Sequence, residues 1–160
     1  MACDLKNAKQ GDKDTQLQVG GRYENGHGVD PDVVQAFDWY FKSAPQGLAE
    51  AQFNAAKAYE QGYGVLQDDS EALIWFVKAA PQGLAEAQFN AAGMYEHDRS
   101  SSRLFQGHEM ASQSLCSRIR GKCLHDDSKT FQWFLTTAEH RNQDAQLLVA
   151  NLYENGRGVA

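Results

Sequence analysis

Residues 44–56 read APQGLAEAQFNAA, and residues 80–92 repeat those thirteen letters unchanged, 36 positions later. Around this pair, aligning 15–50 with 51–86 gives 17 identities in 36 positions. They include Tyr23/Tyr59, Gly26/Gly62, Gly28/Gly64, Val29/Val65, Ala36/Ala72, Trp39/Trp75 and Gly47/Gly83. A fixed period of this length is the signature of a repeat architecture. A third unit starts at Ala87-Gln88-Phe89 and reaches Tyr95-Glu96. Its second half returns as Asp126-Asp127-Ser128 through Trp133-Phe134, 58 positions after Asp68-Asp69-Ser70 through Trp75-Phe76. Because 58 exceeds one period by 22, the third repeat carries a 22-residue insertion within 97–125. A fourth unit begins at Ala145-Gln146 and covers half a period, through Tyr153-Glu154-Asn155-Gly156-Arg157-Gly158-Val159. The chain therefore divides into the tail of an upstream or degenerate repeat (1–14), repeat 1 (15–50), repeat 2 (51–86), repeat 3 with its insertion (87–144) and the first half of repeat 4 (145–160).

Each unit reads as two helices. In the first, Ala51, Ala55, Ala58 and Tyr59 fall at helical spacing. Small residues recur at Gly20, Ala56, Ala92 and Ala150, which suits close approach of a neighbouring helix. The first helix should end at a Gly-x-Gly-Val turn, where glycine takes the left-handed conformation that closes a helix. Gly26, Gly28, Gly62, Gly64, Gly156 and Gly158 are these turn glycines. The second helix should start at Asp32 or Asp68, each followed three residues on by Gln35 or Glu71 in a capping box. Its apolar stripe is Ala36, Trp39, Tyr40 and Ala44 in one unit, and Ala72, Trp75, Phe76, Ala79 and Ala80 in the next. One hairpin cannot bury such a stripe alone, so stacked neighbours supply the core. The fold class is all-α: a solenoid of antiparallel helix–turn–helix repeats. Neither end shows a polar capping helix, which predicts self-association through apolar ends or a fragment of a longer array.

Composition agrees with a folded chain and narrows its partners. Hydrophobic residues are 42% and charged residues 22% of 160, close to globular averages. Net charge is −6, so a basic groove tracking phosphates is not expected and nucleic acid is a poor partner. The charge is uneven: Arg99, Arg103, Arg118, Arg120 and Lys122 against Asp98 and Glu109 give 97–125 a local +3, leaving −9 elsewhere. No apolar run reaches the roughly 20 residues that span a bilayer. Met1-Ala2-Cys3-Asp4-Leu5-Lys6 lacks the apolar core of a secretory signal. Cys3, Cys116 and Cys123 are too few for a disulfide framework, so a reducing, cytoplasmic setting is expected.

The pattern Ala-Gln-x₆-Tyr-x-x-Gly-x-Gly-Val-x₆-Ala-x-x-Trp on this period resembles the Sel-one-like repeat family, relatives of the tetratricopeptide repeats. The tetratricopeptide repeat itself fits less well, having a shorter period and no Gly-x-Gly-Val turn. The resemblance implies a right-handed superhelix, an α-solenoid of antiparallel helix pairs, used as an adaptor in protein complexes. Members serve signalling, membrane-protein degradation, cell-wall synthase activation and bacterial host contact. Two departures from the family pattern stand out. Pro45 and Pro81 fall where the second helix usually continues, predicting an early end or a kink. The insertion interrupts a turn expected to be short, and it reads as a mobile polar loop or as a retained intron.

Trp39, Trp75 and Trp133, with Tyr23, Tyr59, Tyr95 and Tyr153, recur with the repeat and are assigned to the structural core rather than to a ligand cage. The insertion gathers His97, Asp98, His108, Glu109, Cys116, Cys123 and His125, but C-x₆-C-x-H matches no structural zinc spacing. His108-Glu109-Met110 lacks the second histidine of the zinc-protease motif. Arg99-Ser100-Ser101-Ser102-Arg103 is a weak kinase-substrate pattern whose modification would cancel most of the local positive charge. No Gly-x-Ser-x-Gly, P-loop or Ser-x-x-Lys motif is present, so neither catalytic residues nor a cofactor are expected. A cysteine-rich subgroup of the family is credited with β-lactam binding and hydrolysis. Its members carry a cysteine pair per repeat, which Ala44-Pro45-Gln46-Gly47 lacks, leaving that enzyme as the alternative reading. The leading expectation is a non-catalytic scaffold binding a protein or peptide along its concave face. Its contact stripe on successive first helices is Gln18, Arg22 and Asn25, then Asn54, Lys57 and Gln61, then Asn90, Gly93 and His97.

Overall fold

Glycine, proline and aspartate decide where the helices between residues 13 and 83 start and stop. The computed structural model describes residues 2–104, 127–139 and 143–154. Its helices are α1 (Ala2–Lys9), α2 (Lys13–Asn25), α3 (Val33–Ser43), α4 (Ala49–Gln61), α5 (Asp69–Ala79), α6 (Ala85–Leu104), α7 (Asp127–Glu139) and α8 (Gln143–Glu154). Among the described residues there is no strand. Helices α2 and α4 both end on a glycine in the left-handed region, Gly26 and Gly62, each at φ 71°. The caps at Asp32 and Asp68 are one-sided. Each carboxylate accepts from two backbone N–H groups, those of Val34 and Gln35 or of Ser70 and Glu71. The reciprocal half expected of a capping box is replaced. The backbone N–H of Asp32 donates to Tyr23 O at 2.9 Å, and that of Asp68 to Tyr59 O at 3.0 Å. The glycine turn brings the preceding helix's carbonyl to the cap, so the side chain three residues on is not needed there.

The prolines end the second helices. Helix α3 stops at Ser43 and tightens into a 3₁₀ turn over Ala44–Gln46, closed by Gly47 at φ 88°. The same happens after α5, with a 3₁₀ turn over Ala80–Gln82 and Gly83 at φ 86°. A glutamine near the start of the next first helix adds a donor to a carbonyl near the end of the preceding helix; that of Ala44 also accepts from Gly47 N at 3.1 Å. Gln16 Nε2 donates to Ala8 O at 2.9 Å, Gln52 Nε2 to Ala44 O at 3.1 Å and Gln146 Nε2 to Ala138 O at 3.2 Å. The 3₁₀ glutamines extend the chain of amides. Gln46 Nε2 donates to Gln16 Oε1 and Gln82 Nε2 to Gln52 Oε1, both at 2.8 Å. Each relay reaches back to the preceding helix and ends on the carbonyl of a buried residue, Ala8 for Gln46–Gln16 and Ala44 for Gln82–Gln52.

Helix α6 departs from the pattern of α2 and α4. A polar loop was expected from residue 97, yet the helix runs to Leu104. Asp98 and Ser100 occupy the places of Gly62 and Gly64. Without glycine, the left-handed stop costs about 1–2 kcal/mol, and the helix continues instead. The rest of the insertion region, 105–125, and Asp126 lie outside the described residues.

Two compact units are present, Met1–Leu84 and Ala85–Ala160. In the first, each helix from α1 to α5 packs on its sequence neighbours. Alanines at 51, 55, 56, 72 and 79 are fully buried, which lets helix backbones approach closely. Phe76 fills the space between them, also fully buried, contributing about 1.5–3 kcal/mol by burial. In the second unit α6 packs on α7 and α7 on α8 around Ala92, Phe131, Phe134, Val149 and Leu152. Gly20, Ala56 and Ala92 are buried as their small size suggested, but Ala150 is exposed. Among the described residues no helix follows α8 to cover that face.

Candidate functional site

Helices α2, α3 and α4 enclose a groove of about 260 Å³ in the first unit. Glu24 enters from α2, Val33, Ala36, Phe37 and Tyr40 from α3, and Asn54, Lys57, Ala58 and Gln61 from α4, with Tyr63 at the turn beyond. Its position follows from three local features. Gly20 leaves no Cβ where the Tyr40 ring lies: one added there would meet Tyr40 Cε1 at 2.6 Å. The ring therefore sits against α2, and its hydroxyl donates to Glu24 Oε2 at 2.5 Å. Burial, and then the Glu24 carboxylate, push the Tyr40 hydroxyl well above the ordinary tyrosine range. The equivalent positions carry Phe76 and Phe134, so this hydroxyl is particular to the first unit's groove. Gly64, at φ 70°, lies against the start of α3, where an added Cβ would be 2.2 Å from Val33 O. That contact holds the α4–α5 turn, and Tyr63 with it, over the rim.

Of the nine residues expected to form the contact stripe, Asn54, Lys57 and Gln61 meet in this groove. Gln18 is exposed on α2, and Asn25 Nδ2 donates to Gly21 O of its own helix at 2.8 Å. Arg22 lies 36 residues before Ala58, a buried position, and it pairs with Asp4 of α1 at 2.7 Å. The true counterpart of Lys57 on α2 is Gly21, one residue earlier. Asn90 and Gly93 are partly buried on α6, in the second unit. The side chain of His97 lies outside the described residues. Glu24, Val33, Phe37, Tyr40 and Tyr63 were not singled out as contacts. The substitution of Tyr40 for the phenylalanine of later repeats was the signal available for one of them.

The recurrent aromatics sort by neighbour. Trp39 and Trp75 are each 6% exposed, and the ammonium groups of Lys42 and Lys78 lie over their rings at 4.3 and 3.8 Å. Tyr23 packs beside Ala8, Val19 and Trp39. Tyr59 stands edge-on to Phe37 at 5.3 Å, and Phe41 edge-on to Trp75 at 5.8 Å. Tyr95 stacks on Trp133 at 6.1 Å. Tyr153 departs from the expected core: it is 52% exposed. Its ring meets Phe131 edge-on at 5.0 Å, and its other side has no covering helix among the described residues. Gly28 takes φ 79°, like the other described turn glycines, whereas Gly156 and Gly158 lie outside the described residues. So do His108, Glu109, Cys116, Cys123, His125 and the side chains of Asp98 and Ser100–Ser102. Among the described residues no helix is long and apolar enough to cross a membrane.

Helix pairs in which α2 and α4 end on glycine and α3 and α5 start on an aspartate cap, repeated along the chain, define an α-solenoid of helical repeats. The Sel1 repeat family model matches residues 14–48, 49–84 and 143–160, and the chain belongs to that family. It is similar to the crystal structure of a Sel1 repeat protein from Oxalobacter formigenes, with 28% identity and a TM-score of 0.67 over 98% of this chain and 39% of that one. It is also similar to a protective antigen of uropathogenic Escherichia coli strains displaying the same fold, with 31% identity and a TM-score of 0.53 over 98% of this chain and 37% of that one. The chain thus spans about two fifths of the length of these solved relatives. Comparison with curated proteins finds no match.

Proposed function

We propose that the chain is a non-catalytic scaffold that holds an extended peptide segment of a partner protein against α2 and α4, with the groove at Asn54, Lys57 and Gln61 as its contact. The observation that carries this reading is the convergence of those three side chains on one open groove. Spacings of three and four residues put them on one helix face. Amide side chains at Asn54 and Gln61 each offer a donor and an acceptor, the complement of a peptide unit. Membership of a family of helical repeats, which commonly serve as protein-interaction scaffolds, supports the same reading. The division into repeats at 15–50, 51–86, 87–144 and 145–160 belongs to this proposal, since it fixes which residues share the stripe. The test is selection of a displayed random-peptide library on the intact chain and on a variant carrying Asn54→Ala, Lys57→Ala and Gln61→Ala. Enrichment that the triple variant loses supports the scaffold. Enrichment that survives it unchanged moves recognition away from this groove.

A further inference from the structure

We propose that the α2–α3–α4 groove is an anchor pocket for one apolar side chain of the partner peptide, and that an aspartate or glutamate beside that anchor pairs with Lys57. The inference rests on the peptide-scaffold reading and specifies its ligand.

The shape of the groove sets the first part. Ala36, Tyr40 and Ala58 form a floor between 4% and 7% exposed, while Val33 and Tyr63 at the rim are 48% and 57% exposed. Large apolar groups left open around a small concavity gain by being covered, at about 25 cal/mol per Å² buried. About 260 Å³ is below the roughly 300–1,000 Å³ of pockets that enclose whole small-molecule ligands. It suits the end of a single leucine- or phenylalanine-sized side chain.

Charge sets the second part. Two ionic groups reach the groove, and they are not equivalent. The Glu24 carboxylate already accepts the Tyr40 hydroxyl at 2.5 Å. Lys57, half-buried, has no ion-pair partner among the described residues. Its counterparts are Gly21 and Gly93, so the ammonium is a feature of this groove alone among the three aligned positions. A partly desolvated ammonium beside an apolar wall gains most from an incoming carboxylate, through a charge-assisted hydrogen bond. Asn54 and Gln61 lie one turn to either side of Lys57, placed to hold the main chain flanking the anchor.

The test is an amide-shift titration of the 160-residue chain with three capped peptides that share Gly-Ser flanks and differ at the centre: Leu-Asp, Leu-Lys and Ser-Asp. The Leu-Asp peptide should shift the amides of Phe37, Lys57 and Tyr63 and bind about tenfold or more tighter than Leu-Lys, the size expected of a hydrogen bond to a charged group. Lys57→Glu should reverse that order, and Lys57→Met should remove the preference while keeping the leucine-dependent shifts. Far-UV circular dichroism of both variants checks that they stay folded. Equal affinity for the Leu-Asp and Leu-Lys peptides at this groove overturns the acidic specificity and leaves the scaffold standing. Equal shifts from the Leu-Asp and Ser-Asp peptides overturn the apolar anchor. If these peptides leave the groove amides unmoved while library-selected peptides shift them, the ligand assignment falls and the scaffold survives. If neither set shifts them, both readings fall.

Discussion

Tyr40 and Gly20 show how a single pair of residues shapes this molecule. Removing the Cβ at position 20 admits the ring, and the ring's hydroxyl reaches Glu24 on the same helix as the glycine. The turn glycines divide in the same way, by what surrounds them. Gly28 and Gly64 share a left-handed backbone, but a Cβ at Gly28 meets nothing within 4 Å, while one at Gly64 strikes the Val33 carbonyl. Gly28→Ala should therefore cost about 1 kcal/mol, the left-handed penalty alone. Gly64→Ala should cost about 3 kcal/mol, as overlap adds to that penalty. Urea denaturation of both variants checks the difference, and equal midpoints would remove the clamp from the account. Gln52→Ala is a second case. It removes one of two donors to the buried Ala44 carbonyl, the other being Gly47 N–H, and breaks the link from Gln82, so a loss of about 0.5–1.5 kcal/mol is expected in the same assay. The left-handed glycines were legible from the Gly-x-Gly-Val motif. The clash at Gly64, absent at Gly28, was not, because it arises from a backbone 31 residues away in the chain, Val33 against Gly64.

Among the elements, α6 is the informative exception. It shares Ala-Glu-Ala-Gln-Phe-Asn-Ala-Ala with α4 but lacks the glycine stop of α2 and α4. Asp98→Gly should restore the stop, by supplying a residue that is free in the left-handed region and disfavoured by about 1 kcal/mol inside a helix. Helical backbone chemical shifts at residues 99–104 should then decline. If they persist, something other than the missing glycine sets the length of α6. The second helices depend on their tryptophans. Trp75, buried between Phe41 and the Lys78 ammonium, should cost about 3–5 kcal/mol as Trp75→Ala. A melting temperature unmoved by that substitution would contradict its place in the core.

Across the whole molecule, the phenols titrate with the fold. Burial raises the Tyr59 hydroxyl above its ordinary value of 10.0, aided by the Glu71 and Asp68 charges, and burial pushes Tyr95 up to about 12. Tyr40 is raised further still. An unfolded chain loses these protons near pH 10, earlier than the folded one. From about pH 10 upward the unfolded state therefore binds fewer protons, and stability falls as pH rises. Absorbance titration at the phenolate band should show exposed tyrosines ionising first. Tyr59, Tyr95 and Tyr40 should follow at higher pH, together with loss of helical circular dichroism. All six tyrosines ionising near pH 10 in a folded chain would refute this.

Repeated letters made the helix pairs, their glycine ends and their aspartate starts readable from the chain alone, because each rests on contacts within a turn or two of backbone. Proline likewise announced the early end of α3 and α5, since it acts on its immediate neighbours. The groove was readable in part. Asn54, Lys57 and Gln61 were found from their spacing along one helix face, whereas Glu24, Val33, Phe37 and Tyr63 come together only when three helices stack. Arg22 and Tyr153 show the same limit from the other side. Periodicity gives each residue a face, but the helix packed on that face decides what the side chain meets: Asp4 for Arg22, and a half-open edge beside Phe131 for Tyr153.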